Sequence, residues 1–314
     1  MTPPPVPDWL VPWSAWVILG KVGPRPDAPD RIPDWAIWFP AWVKWRMNGQ
    51  VGPRPEKAPT PIPQWAWPPA TETIRAVNKE NSLAFWRRMG VWVTRIDHFP
   101  AEFFPVYAGD DYGYVIVPTL YGTVADSFTA NLETYIEDVR ALGYHVAGSQ
   151  WGAATTIEEA EAEADAAVEA YRLYGFDGWC FNGEKKYEGG GRSAAYARRF
   201  RSRLGYKVPF LWSPEPRISL DHNVLQECAV AYGPQAYPLE NGANVNYVAE
   251  WGENFGYESK NVVPLIQAYQ APDGARYPAE EYARQARVWG LPGLILYPGN
   301  QAADVPNFWR DLIV

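Results

Sequence analysis

The sequence predicts an α/β protein: a (β/α)8 TIM barrel with an N-terminal Trp/Pro-rich repeat arm. Three observations point there. From about Ala70 onward, short apolar runs alternate with helical patterns until eight strands are reached. Residues 1–70 instead repeat internally and are dense in Trp and Pro. A doubly wound sheet is the competing arrangement, but no Gly-rich phosphate loop follows the first strand.

In the arm, Pro7-Asp8-Trp9 recurs as Pro33-Asp34-Trp35, and Ala15-Trp16-Val17 as Ala41-Trp42-Val43. Val22-Gly23-Pro24-Arg25-Pro26 recurs as Val51-Gly52-Pro53-Arg54-Pro55, and a truncated third copy runs from Ile62-Pro63-Gln64-Trp65 to Pro68-Pro69. Nine of the 17 tryptophans lie here. Trp9, Trp13 and Trp16, and Trp35, Trp38, Trp42 and Trp45, have helical spacing, with Pro12 and Pro40 interrupting or starting those helices. Each copy reads as a short Trp-striped helix followed by an extended Pro-Arg-Pro tether. Such a helix needs cover, either from protein (the barrel or a partner chain) or from a cell-wall or glycan surface.

The barrel strands are expected at Val91–Ile96, Tyr114–Thr119, His145–Gln150, Asp177–Gly183, Val208–Trp212, Cys228–Gln235, Val262–Gln267 and Gly293–Tyr297. Helices are expected at Phe128–Leu142, Ile157–Tyr174, Ser193–Leu204, Val245–Phe255, Ala279–Trp289 and Val305–Leu312, with a short turn near Asp221–Gln226. No clear helix separates the first two strands. The domains are therefore read as a repeat arm, residues 1–70, and a barrel, residues 71–314.

Composition narrows the function. Net charge is −8, divided as +2 over residues 1–70 and −10 over the rest, so no nucleic-acid partner is expected. Cys180 and Cys228 read as buried free thiols, and His98, His145 and His222 as structural. No spacing suggests a metal, no cofactor is expected, and no apolar run is long enough for a membrane span. The N-terminus lacks a basic start followed by an apolar core, so no secretory leader is expected. The 17 Trp and 19 Tyr exceed the needs of a core, and flat rings can stack on the apolar faces of sugars.

In the fourth strand, alternation puts Asp177, Trp179 and Phe181 on one face, and Gly178, Cys180, Asn182 and Glu184 on the other. The first face suits packing under helices. The second leads to an amide and then a carboxylate at the C-terminal end of the strand, where barrel active sites sit. The other expected rim residues are Asp97, Tyr121, Trp151, Trp212, Glu215, Gln235, Tyr237, Gln267, Tyr269, Gln270, Tyr297 and Asn300. Of these, Trp151, Trp212, Glu215, Gln235, Tyr237, Gln267, Tyr269 and Tyr297 are the candidate substrate-binding residues. Amides and rings suit a neutral sugar polymer. Ordinary glycosidases use two carboxylates, yet the seventh strand ends in Gln267 and Gln270. A substrate carrying a 2-acetamido group removes that requirement, because its own carbonyl oxygen can attack the anomeric carbon.

The stretch Phe176-Asp177-Gly178-Trp179-Cys180-Phe181-Asn182-Gly183-Glu184 resembles the strand-four motif of the glycoside hydrolase clan holding the family-eighteen chitinases and the family-eighty-five endo-β-N-acetylglucosaminidases. The chitinase pattern ends Asp-x-Asp-x-Glu, against Cys180, Asn182 and Glu184 here. The family-eighty-five pattern, Phe-Asp-Gly-Trp followed by Asn-x-Glu, is closer. That resemblance implies Asn182 as the residue orienting the acetamido group and Glu184 as the general acid/base, with Lys185 and Lys186 turned to solvent. Leu211-Trp212-Ser213 is similar to the next strand of that family, without its Tyr and Asp.

Three functions are consistent with these residues. One is a peptidoglycan glucosaminidase-like hydrolase acting on an N-acetylglucosamine-containing polysaccharide, from a bacteriophage virion or the host cytoplasm before lysis. Another is a non-catalytic phage structural or receptor-binding protein that attaches to other virion proteins through residues 1–70. The third is a carbohydrate-binding pseudo-enzyme.

Overall fold

The computed structural model describes residues 6–104, 113–127, 130–271 and 273–298. The chain divides into two compact units, Met1–Asn81 and Ser82–Val314.

The first unit closes on itself. Helices Leu10–Ile18, Asp34–Ile37 and Phe39–Met47 accept Pro12 and Pro40 in their first turns, where no backbone donor is lost. Leu10, Trp13, Trp38, Phe39, Trp42 and Val43 form a core of their own. The expected tether is not extended. In each full copy a tryptophan near the end of the helix, Trp16 or Trp45, donates its indole N–H to a glycine carbonyl of the following loop, Gly23 at 3.3 Å or Gly52 at 3.2 Å. Arg25 and Arg54 likewise donate to loop carbonyls of Pro29 and Pro59. Trp9, Trp35 and Trp65, one from each copy, meet in series with ring centroids 6.1 and 5.3 Å apart. The copies thus cover one another, although Trp35 remains 41% exposed. A helix that the sequence reading lacked, Trp67–Trp86, spans the division between the units. Pro68 and Pro69, where the third copy ends, occupy its first turn.

The second unit is the barrel. Its parallel strands are β1 Gly90–Trp92, β2 Tyr114–Tyr121, β3 His145–Trp151, β4 Gly178–Asn182, β5 Phe210–Trp212, β6, β7 Leu265–Gln267 and β8 Ile295–Tyr297. All fall within or beside the expected runs. β6 consists of two short ladders, Ala231–Tyr232 and Gln235–Ala236, joined by Gly233-Pro234. The first ladder pairs with β5 and the second with β7. Backbone bonds close both edges: Gly233 N–H reaches Trp212 O at 2.8 Å, and Val263 N–H reaches Tyr232 O at 2.8 Å. β1 pairs with β8, so the ring of eight is complete. A Cβ on Gly233 would lie 2.7 Å from the Leu211 side chain, so any larger residue at that crossing point would force Leu211 to shift.

Alternation sorts the side chains. Trp92, Ile116, Ala147, Cys180, Leu211, Leu265 and Ile295 fill the inside of the barrel, and Trp86 joins them. Val91, Val115, Trp179, Phe181, Phe210 and Trp212 face the helices. Helix Ile157–Tyr174 has the expected bounds because both ends are specified. Thr156 and Glu159 form a reciprocal capping box, and Gly175 ends the helix at φ 61°. The chain then enters β4, where Asp177 accepts a bond from Val146 N–H at 2.9 Å. Between β1 and β2 only the short turn Ala101–Phe103 is helical among the described residues. The expected helix Val305–Leu312 lies outside them, and the start of Phe128–Leu142 is shortened to Leu132.

His222 is structural. It is buried at the start of helix His222–Cys228, stacked on Phe255 at 3.7 Å and 3.4 Å from the Tyr257 hydroxyl. Burial depresses its pKa to about 4, against an opposing pull from Asp221. The unfolded chain therefore binds this proton first as pH falls. The stability tied to the neutral ring is present above about pH 6.5 and is lost progressively toward pH 4, up to about 3 kcal/mol. Urea unfolding of wild type and His222→Phe at both pH values should show the stability difference shift toward the variant by about that amount; a constant difference would contradict the assignment.

Candidate active site

At the C-terminal end of the barrel, the inward row of β4 continues through Cys180 and Asn182 to Glu184. The Asn182 side-chain amide donates to Glu184 Oε1 at 3.0 Å. Gln235, from the second ladder of β6, donates to the same oxygen at 3.0 Å and lies 3.3 Å from Asn182 Oδ1. These three residues line one cleft of about 440 Å³, within the size range of small-ligand sites. Trp151 stands beside them at the end of β3. The opposite wall is tyrosine: Tyr237 stacks on Tyr297 at 5.3 Å, and Tyr269 meets Tyr297 edge-on at 5.9 Å. Burial raises the pKa of all three hydroxyls, that of Tyr297 to about 12 with added repulsion from Glu240 and Glu184, so they remain donors at neutral pH. Lys185 and Lys186 are exposed.

Seven candidates thus share the cleft: Asn182, Glu184, Trp151, Gln235, Tyr237, Tyr269 and Tyr297. Three do not line it. Trp212 is 0% exposed and packs outward against Phe181, Tyr187 and Tyr196. Its cross-strand partner is Phe181, so alternation forces both rings onto the helix side. Its ring instead supports the site from behind: a Cβ on Gly183 would lie 2.3 Å from it. Gln267 points inward but is 1% exposed, and its Oε1 accepts the Leu239 N–H at 3.3 Å, tying down the loop after β6. Glu215 is exposed on the rim. Partial desolvation raises its pKa, as does the Glu184 charge, against an opposing effect of Lys185. Of the other rim residues, Asp97 pairs with Arg95, Gln270 bonds to Gly274, and Asn300 lies outside the described residues.

The cleft also holds residues the sequence reading missed: Trp92, Leu265 and Glu240. Trp92 could have been found by alternation within the expected first strand. Glu240 sits on a loop, three residues past Tyr237, where no periodicity marks it. Burial, and after it the nearby Glu240 carboxylate, raise the pKa of the Tyr269 hydroxyl.

Behind β4 a buried network fixes the turn that carries Glu184. Tyr187 N–H bonds to Glu184 O at 2.8 Å, and the Tyr187 hydroxyl donates to Glu163 Oε2 at 2.6 Å. Glu163 Oε1 accepts from Ala153 N–H at 2.9 Å. Gln150 bonds to the Glu163 carbonyl and accepts from Tyr196, which in turn accepts from Trp179. Among the described residues, no group of His, Cys, Asp and Glu could hold a metal ion, and no helix is long and apolar enough to cross a membrane.

The sequence matches no protein-family model and no curated protein. Solved structures match the barrel. A GH18 chitinase from Pseudoalteromonas aurantia is 13% identical with a TM-score of 0.54, over 72% of this chain and 100% of that one. A GH18 chitinase from Cycas revoluta, in complex with allosamidin, is 11% identical with a TM-score of 0.55, over 72% and 100%. The xylanase and α-amylase inhibitor protein of Scadoxus multiflorus is 16% identical with a TM-score of 0.50, over 72% and 97%. The barrel has the fold of the GH18 chitinases, in the clan whose strand-four motif Phe176–Glu184 resembles. At these identities the likeness is one of fold.

Tyr187→Phe should lower the unfolding free energy by about 1–3 kcal/mol, because it leaves one oxygen of the buried Glu163 carboxylate without its donor. Urea denaturation checks this, and a change below about 0.5 kcal/mol would mean that the bond contributes nothing net.

Proposed function

We propose that the protein hydrolyses β-linked N-acetylhexosamine polymers by a substrate-assisted, retaining mechanism. One observation carries the reading: Glu184 and Asn182 are hydrogen-bonded neighbours inside an open, aromatic-walled cleft. The acetamido carbonyl oxygen attacks the anomeric carbon as the glycosidic C–O bond breaks, and Glu184 gives its proton to the leaving oxygen. The product of this step is a cyclic oxazolinium. Water then opens the ring, passing a proton to Glu184 and restoring the acetamido group with the original anomeric configuration. Asn182 holds the acetamido group in the attacking orientation, and the tyrosine wall stacks on the sugar faces. No second carboxylate takes part in the bond changes, so the amides at the end of β7 are no obstacle.

Among polymers of this kind we assign peptidoglycan, cut by a phage-borne wall hydrolase whose tryptophan-rich unit holds it to the wall or to a virion. That finer assignment rests on analogy with repeat-bearing lysins. A non-cleaving reading is favoured by one feature: β5 is followed by Ser213, with neither the Tyr nor the Asp of the resembled motif. In that case the same cleft binds sugar without turnover.

Glu184→Gln should reduce release of reducing ends from N-acetylglucosamine oligomers by about 10²-fold or more, with circular dichroism unchanged. A thiazoline that mimics the cyclised acetamido group should inhibit wild type. Near-normal turnover in the variant would sink the catalytic reading. Inhibition by a deoxynojirimycin-type mimic instead of the thiazoline would exclude substrate assistance.

A further inference from the structure

The carboxylate of Glu240 has no role in the mechanism above, yet it lines the same cleft as Glu184. Its surroundings are specific. Its charge acts on the Tyr269, Tyr237 and Tyr297 hydroxyls, as does that of Glu184 on the last two. No Lys, Arg or His lines the cleft among the described residues. Lys185 acts on Glu215 at the rim, beyond the lining, and Lys186 lies over Tyr121. The loop bearing Glu240 is anchored at its neighbour, Leu239, by buried Gln267, and Glu240 itself is exposed where it lines the cleft.

A carboxylate without a countercharge, framed by three tyrosine rings, is the arrangement that recognises an ammonium group. The carboxylate supplies the charge-assisted hydrogen bond, and the ring faces supply cation–π attraction. The same arrangement repels an anionic sugar. On the reading that this cleft binds an N-acetylglucosamine polymer, we propose that Glu240 with Tyr237, Tyr269 and Tyr297 forms a site for the free ammonium of an N-deacetylated glucosamine residue. The cleft then takes a partly deacetylated polymer, with an acetamido group at Asn182 and Glu184 and an ammonium at Glu240. Each group is matched to the residue it meets: an amide faces the amide, and a carboxylate faces the amine.

The test is isothermal titration of the Glu184→Gln protein, which prevents turnover during measurement. Two ligands are compared: fully acetylated chitotetraose, and tetramers containing one glucosamine. At a pH where the sugar amine is protonated, the mixed tetramer with glucosamine in the matching position should bind about tenfold tighter. That advantage should shrink as salt is raised, and should vanish when Glu240→Gln is added to the same protein. Equal binding of the two ligands, or an advantage that survives Glu240→Gln, overturns the ammonium site and leaves the sugar cleft intact. Binding of neither ligand overturns both.

Discussion

The candidate site depends on one shared oxygen. Glu184 Oε1 accepts amide hydrogens from Asn182 on β4 and Gln235 on β6, with β5 between those strands. In a flat sheet, strands two apart are separated by roughly 10 Å, too far for such side chains to meet. The curvature of the closed barrel brings their inward residues together. Closure itself turns on Gly233-Pro234, where β6 stops pairing with β5 and begins pairing with β7. The geometry of the acid is therefore a property of the whole ring, and of one glycine that lets Leu211 approach.

The outer face of β4 serves the same end by different means. Phe181, Tyr187, Tyr196 and Trp212 form a dry aromatic layer, and Gly183 lies directly against Trp212. Glu163 is 3% exposed, which would be costly without partners. The Tyr187 hydroxyl and Ala153 N–H supply them, and burial still raises its pKa. One strand thus divides its labour by alternation: a hydrophobic, hydrogen-bonded back fixes the turn, and a small-residue front leaves room for the cleft. In the first unit, tryptophans of successive repeat copies pack against one another.

Much of this was legible in the sequence, for identifiable reasons. The strand-four motif carried its own face assignment, because Trp179 and Phe181 alternate with Gly178, Cys180 and Asn182. Tyr237 and Tyr297 extend inward rows in the same way. Trp212 was misplaced because its facing is set by cross-strand register with Phe181, which a single strand does not reveal. Glu240 was missed because loop residues have no period, and its partner Tyr269 is distant in sequence. The repeat of the arm was plain, but its self-coverage rests on contacts such as Trp35 with Trp65, which spacing alone does not encode. Pro68-Pro69 read as a stop although two prolines fit a helical first turn, and so the helix Trp67–Trp86 was not foreseen.

The stereochemistry of cleavage tests the substrate-assisted mechanism most directly. Proton NMR of an N-acetylglucosamine oligomer, recorded within the first minutes after wild-type protein is added, reads the anomer of the new reducing end before it mutarotates. Attack by the acetamido oxygen followed by water involves two inversions, so the β-anomer should appear first. Initial release of the α-anomer would contradict the single-carboxylate mechanism built on Glu184 and Asn182, and absence of any new reducing end would contradict cleavage itself.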